Sequence, residues 1–370
     1  MNDESSNFTQ QLTECYFILS NITVDPQKVE EASRFLMNFY SQPKAFSFIV
    51  NYISIVDNPI LQKGAIVGMK MILQSNHDLL QNHETYLSLL NLSVFQSPVV
   101  RKFAIFYLSN YKSPETIELI IQFVQSNFNP DTINSINDIQ IEAFMKLLTI
   151  VIKSVPEENV MQYIELCSTL SSKAYQSSNI DLLISAAIFR LTFIPFLQDG
   201  QNSIYQEYMN SALQVFIQFV QQNSDSDQST EFFNAICDFI SNDPYSINFH
   251  PLLELVINYI VAPEISEALS NKLLLLSDSI LDSCQDIIKE DQKTAMGLMV
   301  QLLSSYCLYS KKTYSPSNSY DQCNIFSTFF NVFYEDEYIS EIYSNIPSLF
   351  NEGSSGKFTS LLIIESALNS

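Results

Sequence analysis

Glycine is scarce in this chain, 6 of 370 residues, beside 13 prolines. Dinucleotide-binding sheets, propellers and β-sandwiches need glycine at many tight turns, so the scarcity disfavours all three. Histidine is scarcer, at 3. His77 and His83 stand six apart, out of the i,i+4 register of a zinc-binding helix, and His250 is remote in sequence. No H-E-x-x-H, G-x-S-x-G, Walker A or G-x-G-x-x-G pattern occurs. The expectation is a binding protein rather than an enzyme, with no catalytic residue, no metal and no cofactor.

Positive charge is also in short supply. Lys+Arg number 18 against 40 Asp+Glu, a net charge of -22, and the pI is about 4.3. A phosphate backbone needs a basic surface, so direct nucleic-acid binding is not expected. A basic partner is the electrostatic match. No apolar run of about 18 residues is present, which argues against membrane insertion. The start, Met1-Asn2-Asp3-Glu4-Ser5-Ser6, lacks the apolar core of a secretory signal. Cys15, Cys167, Cys237, Cys284, Cys307 and Cys323 form no C-x-x-C pair and read as buried small residues of a reducing compartment. Cytoplasm and nucleus are the expected locations.

What the chain does have is helical periodicity. Apolar residues make up 46%, enough for a large core. Val29, Ala32, Leu36, Phe39 and Tyr40 fall on one helix face behind Asp25-Pro26, a cap followed by proline at the first helical position. Phe46, Ile49, Val50, Ile53 and Val56 repeat the spacing after Pro43. Leu61, Gly64, Ala65, Gly68 and Ile72 follow Pro59. Tyr86, Leu87, Leu90 and Val94 come next. Ser97-Pro98 and Ser113-Pro114 then open two more helices. The reading is a helix, a short turn and a helix, recurring about every 40 residues, with small Ala32, Gly64/Ala65 and Ala104 in the first helix of each pair. That period marks HEAT/armadillo-like repeats, so the expected fold is all-α, an α-solenoid of stacked helix pairs, with an irregular helical bundle as the alternative.

The charge is unevenly spread along this array. Residues 1–110 hold 7 Lys/Arg and 9 Asp/Glu, net -2. Residues 111–240 and 241–370 each carry net -10. Two acidic clusters stand out. Asp278, Asp282, Asp286 and Glu290 recur every four residues within an expected long helix over 264–288 and its end, which would line four carboxylates along one face. Like charges at that spacing disfavour the helix by roughly 0.2–0.5 kcal/mol per pair, and a basic partner would relieve the repulsion. Glu335, Asp336 and Glu337 form the second cluster. A plainly solvated surface is the alternative for both.

The sequence Asp25-Pro26-x-x-Val29-x-x-Ala32-x-x-x-Leu36, then Pro43-x-Ala45-Phe46, then Val56-Asp57-Asn58-Pro59-Ile60-x-x-x-Gly64-Ala65-Ile66, resembles the N-terminal HEAT repeats of the importin-beta (karyopherin-beta) family. Ser97-Pro98-Val99-Val100-Arg101-Lys102-Phe103-Ala104 is similar to that family's V-R-x-x-A helix, and the nearest likeness is to its importin-four/importin-five branch. The likeness covers about residues 12–130. There are departures: Leu61 stands where the family commonly has arginine, and Val29-Glu30-Glu31-Ala32-Ser33 replaces its Arg-x-x-Ala-Glu. Family members are also far longer.

The resemblance implies a nuclear import receptor. Such receptors bind the GTP form of the Ran GTPase through N-terminal repeats and hold basic cargo on an acidic surface. The GTPase releases the cargo, and nuclear pore proteins are further partners. On that implication the second helices of the first three pairs would face the GTPase with Asn51, with Glu84, Ser88 and Asn91, and with Glu118 and Gln122. The two acidic clusters would hold cargo. Ala32, Leu36, Ala65, Arg101 and Ala104 would be structural repeat positions, Arg101 linking neighbouring repeats. The expected organisation is residues 1–130 as importin-like HEAT repeats and 131–370 as further helical repeats. The apolar stretch Leu361-Leu362-Ile363-Ile364 makes a poor terminal cap, so an abbreviated array is expected. A HEAT-repeat scaffold or adaptor without a GTPase partner, or a truncated receptor fragment, are the alternatives.

Overall fold

The computed structural model describes residues 2–21, 23–128, 135–197, 202–222 and 228–290, with positions 298, 301, 302, 305, 306, 308 and 309. All regular structure among them is helical. The chain forms two compact units, Met1–Ser177 and Ser178–Ser370.

The first unit contains α1 (Asn2–Ser20), α2 (Pro26–Tyr40), α3 (Ala45–Ile55), α4 (Pro59–Ser75), α5 (His83–Ser93), α6 (Pro98–Asn110), α7 (Pro114–Asn127), α8 (Asp138–Ile152), the single turn α9 (Glu157–Val160) and α10 (Ile164–Ala174). Their starts are set locally. The Asp25 carboxylate accepts from the Gln27 N–H at 2.9 Å, and Asn58 accepts from the Ile60 N–H at 2.9 Å. Ser113 and Thr116 close a reciprocal capping box at α7, and Asn137 and Gln140 do the same at α8. Proline opens α2, α4, α6 and α7, where its missing N–H costs no helical bond.

The pairing differs in phase from the sequence expectation. α1 packs most extensively on α2, α3 on α4, α5 on α6, and α7 on α8. Counting from Asp25-Pro26 joins α2 with α3 and α4 with α5. The cause is α1, whose buried Leu12, Cys15 and Tyr16 need a partner and take α2 and α4. Ala32, Ala65 and Ala104 therefore belong to the second helix of each pair. There α2, α4, α6 and α8 lie side by side in one layer, while α3, α5 and α7 adjoin in the other. Ala32, Leu36, Ala65 and Ala104 are all buried between the layers. Each large apolar side chain in that interior contributes roughly 1.5–3 kcal/mol.

The division expected at residue 130 falls between α7 and α8, which pack as a pair. The first unit runs on through α10, which packs on α8, and the Ser177 hydroxyl donates to Asp138 at 2.9 Å.

The second unit contains α11 (Ile180–Phe193), α12 (Asn202–Gln221), α13 (Ser229–Asn242), α14 (His250–Tyr259), α15 (Glu267–Ser283) and α16 (Gln285–Glu290). α11 packs on α12 and α13, α13 on α15, and α14 on α12 and α15. Its core includes Phe216 of α12, whose ring stands 5.4 Å from that of Phe232 and 4.9 Å from that of Phe233 on α13. Both contacts are edge-on, the arrangement an aromatic quadrupole favours. The helices expected beyond residue 309 lie outside the described residues.

Candidate functional site

The six residues assigned to the GTPase all come from one layer of the first unit. Asn51 is exposed on α3, Glu84 and Asn91 are exposed on α5, and Glu118 and Gln122 are exposed on α7. Because α1 shifts the phase, these are first helices of their pairs, not second helices. Not every side chain is available there. Ser88 is half-buried, and its hydroxyl donates to the Glu84 carbonyl at 2.8 Å. The Gln122 amide donates to Glu118 at 3.0 Å. Glu118 also lies near Tyr163, whose phenol is pushed up first by burial and then by that carboxylate.

The acidic ridge is not continuous. The expected helix over 264–288 begins only at Glu267, capped by Ser266, and ends at Ser283. The chain turns at Cys284 and resumes as the short α16, so Asp278 and Asp282 stand on one helix and Asp286 and Glu290 on another. Cys284 is fully buried, and the turn brings its thiol into the core. Asp282, Asp286 and Glu290 are exposed, whereas Asp278 is half-buried with its Oδ1 shielded from solvent. Asp278 sits three to four residues from buried Leu274 and Leu281, on the flank of the buried face. It lies near Tyr306, whose phenol is held well above its usual range by burial, with the Asp278 charge adding to the rise and the Ser277 bond at 2.5 Å opposing it. Glu335, Asp336 and Glu337 lie outside the described residues.

Arg101 has defined contacts. Its guanidinium donates to the carbonyls of Phe95 at 2.9 Å and Gln96 at 2.7 Å, and stands 3.6 Å from Glu142. It thus ties α6 to the loop after α5 and to α8. Glu142 in turn accepts from Lys146 at 2.6 Å.

Chemistry of other kinds finds few groups among the described residues. None of their His, Cys, Asp and Glu side chains form a cluster of three that suits a metal. Cys15, Cys167, Cys237 and Cys284 are free thiols, and burial raises each, Cys284 to about 11. Such thiols are poor nucleophiles at neutral pH. No helix among the described residues is long and apolar enough to cross a membrane.

In the first unit, paired helices form two layers stacked by small residues and buried aromatics. The fold is a HEAT/armadillo-like α-solenoid. Over 99% of its length the chain is similar to Kap121p in the crystal structure of Kap121p bound to Nup53p, at 11% identity and a TM-score of 0.57. The crystal structure of Kap121p bound to Ste12p gives the same values. The chain spans 41% of Kap121p in both. No protein-family profile and no curated protein sequence matches it. At this identity the likeness is one of fold.

The sequence does not single out the solvent-exposed face of α4 and α6. The signal was in the composition. Neither helix contains an Asp or Glu, yet the chain has 40.

Proposed function

We propose that this chain is a transport receptor of the importin-beta type, working by reversible binding. Its first unit engages a Ran-type GTPase in the GTP form, and its acidic remainder holds basic cargo that the GTPase releases. Nuclear pore proteins are its further partners, and it works between cytoplasm and nucleus.

The observation that carries this reading is the fold match to Kap121p over 99% of the chain. Kap121p is a karyopherin of the importin-beta family, and its crystal structures contain Nup53p or Ste12p. The charge distribution supports the division of labour: residues 1–110 are near neutral at net -2, while the remaining two thirds carry net -20. A long acidic stretch attracts basic segments and raises their association rate. Asn51, Glu84, Asn91, Glu118 and Gln122 are the candidate GTPase contacts, with Ser88 at their edge. Asp282, Asp286 and Glu290 are the exposed candidates for cargo.

A pull-down of the purified chain with Ran loaded with GTP or with GDP tests the reading. Retention of the GTP form alone, reduced by Glu84→Lys with Glu118→Lys, is the expected result. Equal retention of both nucleotide states by a folded chain would sink it.

A further inference from the structure

α4 and α6 lie side by side, and their solvent faces carry the same pattern. On α4, exposed Ile60, Lys63, Val67 and Lys70 recur at steps of three and four, which makes one stripe. On α6, exposed Val99, Lys102 and Phe106 make the matching stripe. Val67 is 56% exposed and Phe106 58%. The two helices, of 17 and 13 residues, hold no carboxylate. The flanking helices mix both signs: α2 presents exposed Lys28, Glu30, Glu31 and Arg34, and α8 carries Glu142 beside Lys146. The result is a patch of alternating lysine and apolar side chains on a strongly acidic protein.

We infer that this patch docks a linear protein segment rich in acidic residues, with large apolar side chains spaced between them. The Lys63 and Lys70 ammonium groups stand beside exposed Ile60 and Val67 on α4, and α6 adds exposed Val99 and Phe106, so a partner must offer carboxylates and apolar groups in alternation. Neighbouring helix axes lie about 8–10 Å apart. A polyproline-II segment has three residues per turn and rises about 3.1 Å per residue, so a segment crossing both helices turns every third side chain to the same side, at about the helix spacing. The charge of the whole chain selects among anions. At net -22 the protein repels a long polyphosphate or an anionic bilayer, whose field extends over many residues, whereas a short peptide meets only the local cations. The inference does not depend on the transport reading.

The test uses the full chain and a fluorescein-labelled synthetic peptide with Phe at every third position and Glu between. Fluorescence anisotropy should give saturable binding that weakens as salt rises. The same peptide with Phe replaced by Ser, or Glu by Lys, should bind at least tenfold more weakly. Lys63→Glu with Lys70→Glu, and separately Val67→Ser with Phe106→Ser, should each lower affinity at least tenfold. Lys112→Glu, at an exposed lysine on neither helix, should change it less than twofold. All the substituted side chains are exposed, and circular dichroism with a melting curve confirms folding. If the apolar pair perturbs the fold, the lysine pair alone carries the test. No saturable binding, or wild-type binding by the lysine pair, overturns the inference. It is equally overturned if phosphatidylserine vesicles or oligo-dT bind in a lysine-dependent manner while the peptide does not.

Discussion

Tyr16 of α1 lies directly against the backbone of Gly64 on α4. A methyl group at Gly64 would stand 2.7 Å from both Cγ and Cδ1 of the tyrosine ring. One turn further, a methyl at Gly68 would meet Tyr40 of α2, at 2.7 Å from its hydroxyl oxygen. The two tyrosines are themselves linked, Tyr40 donating to Tyr16 at 3.3 Å. This is how the overlooked first helix reaches past its partner to grip the second pair.

Gly64→Ala should therefore destabilise the first unit although alanine is the better helix former by about 1 kcal/mol. The obstacle is the root of the Tyr16 ring, which is fixed by the α1 backbone. A net cost of about 2 kcal/mol is expected from overpacking. Gly68→Ala should cost less, because it meets the far end of Tyr40, and Tyr40→Phe should rescue part of that loss. Urea unfolding of the two alanine variants, Tyr40→Phe and the Gly68→Ala, Tyr40→Phe double completes the cycle. Equal costs at both glycines would contradict the packing.

Arg101→Ala should cost about 1–3 kcal/mol, since it strips charged donors from the Phe95 and Gln96 carbonyls. Glu142→Gln should cost less, because glutamine keeps an acceptor oxygen toward both of its part-exposed cationic partners, Arg101 at 3.6 Å and Lys146 at 2.6 Å. A thermal melt that ranks Glu142→Gln above Arg101→Ala would show that the ion pair, not the carbonyl bonds, dominates.

Arg190 of α11 is 3% exposed. Its guanidinium donates to the Ser211 hydroxyl at 2.7 Å, pairs with Glu207 at 3.2 Å and lies 4.6 Å above the Tyr208 ring. Glu207 is 58% exposed, so water can solvate it if the arginine is lost. Arg190→Ala should cost about 3 kcal/mol, mostly from the emptied volume. Arg190→Met refills that volume without a charge to desolvate and should cost under about 1 kcal/mol. Chemical denaturation of both variants decides the point: similar losses would mean that the charge itself is what holds α11 to α12.

Alkaline pH should weaken the fold before it affects a chain with exposed tyrosines. Burial, followed by a hydrogen bond to the Asp243 carboxylate, pushes the Tyr205 phenol up to about 12. Burial also raises Tyr16, Tyr40, Tyr52 and Tyr86. In the unfolded chain these phenols lose their protons near pH 10. The folded state then binds more protons than the unfolded one, so stability is full below pH 10 and falls above it. Each retained proton steepens the fall by about 1.4 kcal/mol per pH unit. Absorbance at 295 nm should rise late and cooperatively with loss of helix. A rise complete near pH 10 with the helices intact would contradict the burial.

Much of the helical layout was legible from local chemistry. Asp25-Pro26 and Ser113-Pro114 mark helix starts by cap and proline, and those starts are where α2 and α7 begin. Pairing was not legible in the same way, because a stripe of apolar residues says that a face is buried and not against which neighbour. Phe8, Leu12, Cys15 and Tyr16 carry helical spacing, but they follow a polar start without a proline or cap to mark a helix. Missing that one helix moved every pair in the first unit out of phase. The acidic ridge is interrupted for a different reason. The four-residue spacing from Asp278 to Glu290 is real, but the turn at Cys284 breaks the helix that would have aligned it.

The sequence by itself determined the helical class, the near-absence of glycine turns, the helix starts and the steep charge imbalance, because each follows from composition or from contacts within a few residues. Tertiary packing decided which helices share a layer, that Asp278 turns toward the interior, and that two carboxylate-free helices stand together. Those outcomes depend on contacts between residues far apart in sequence, such as Tyr16 with Gly64 and Arg101 with Glu142, and no local pattern encodes their partners.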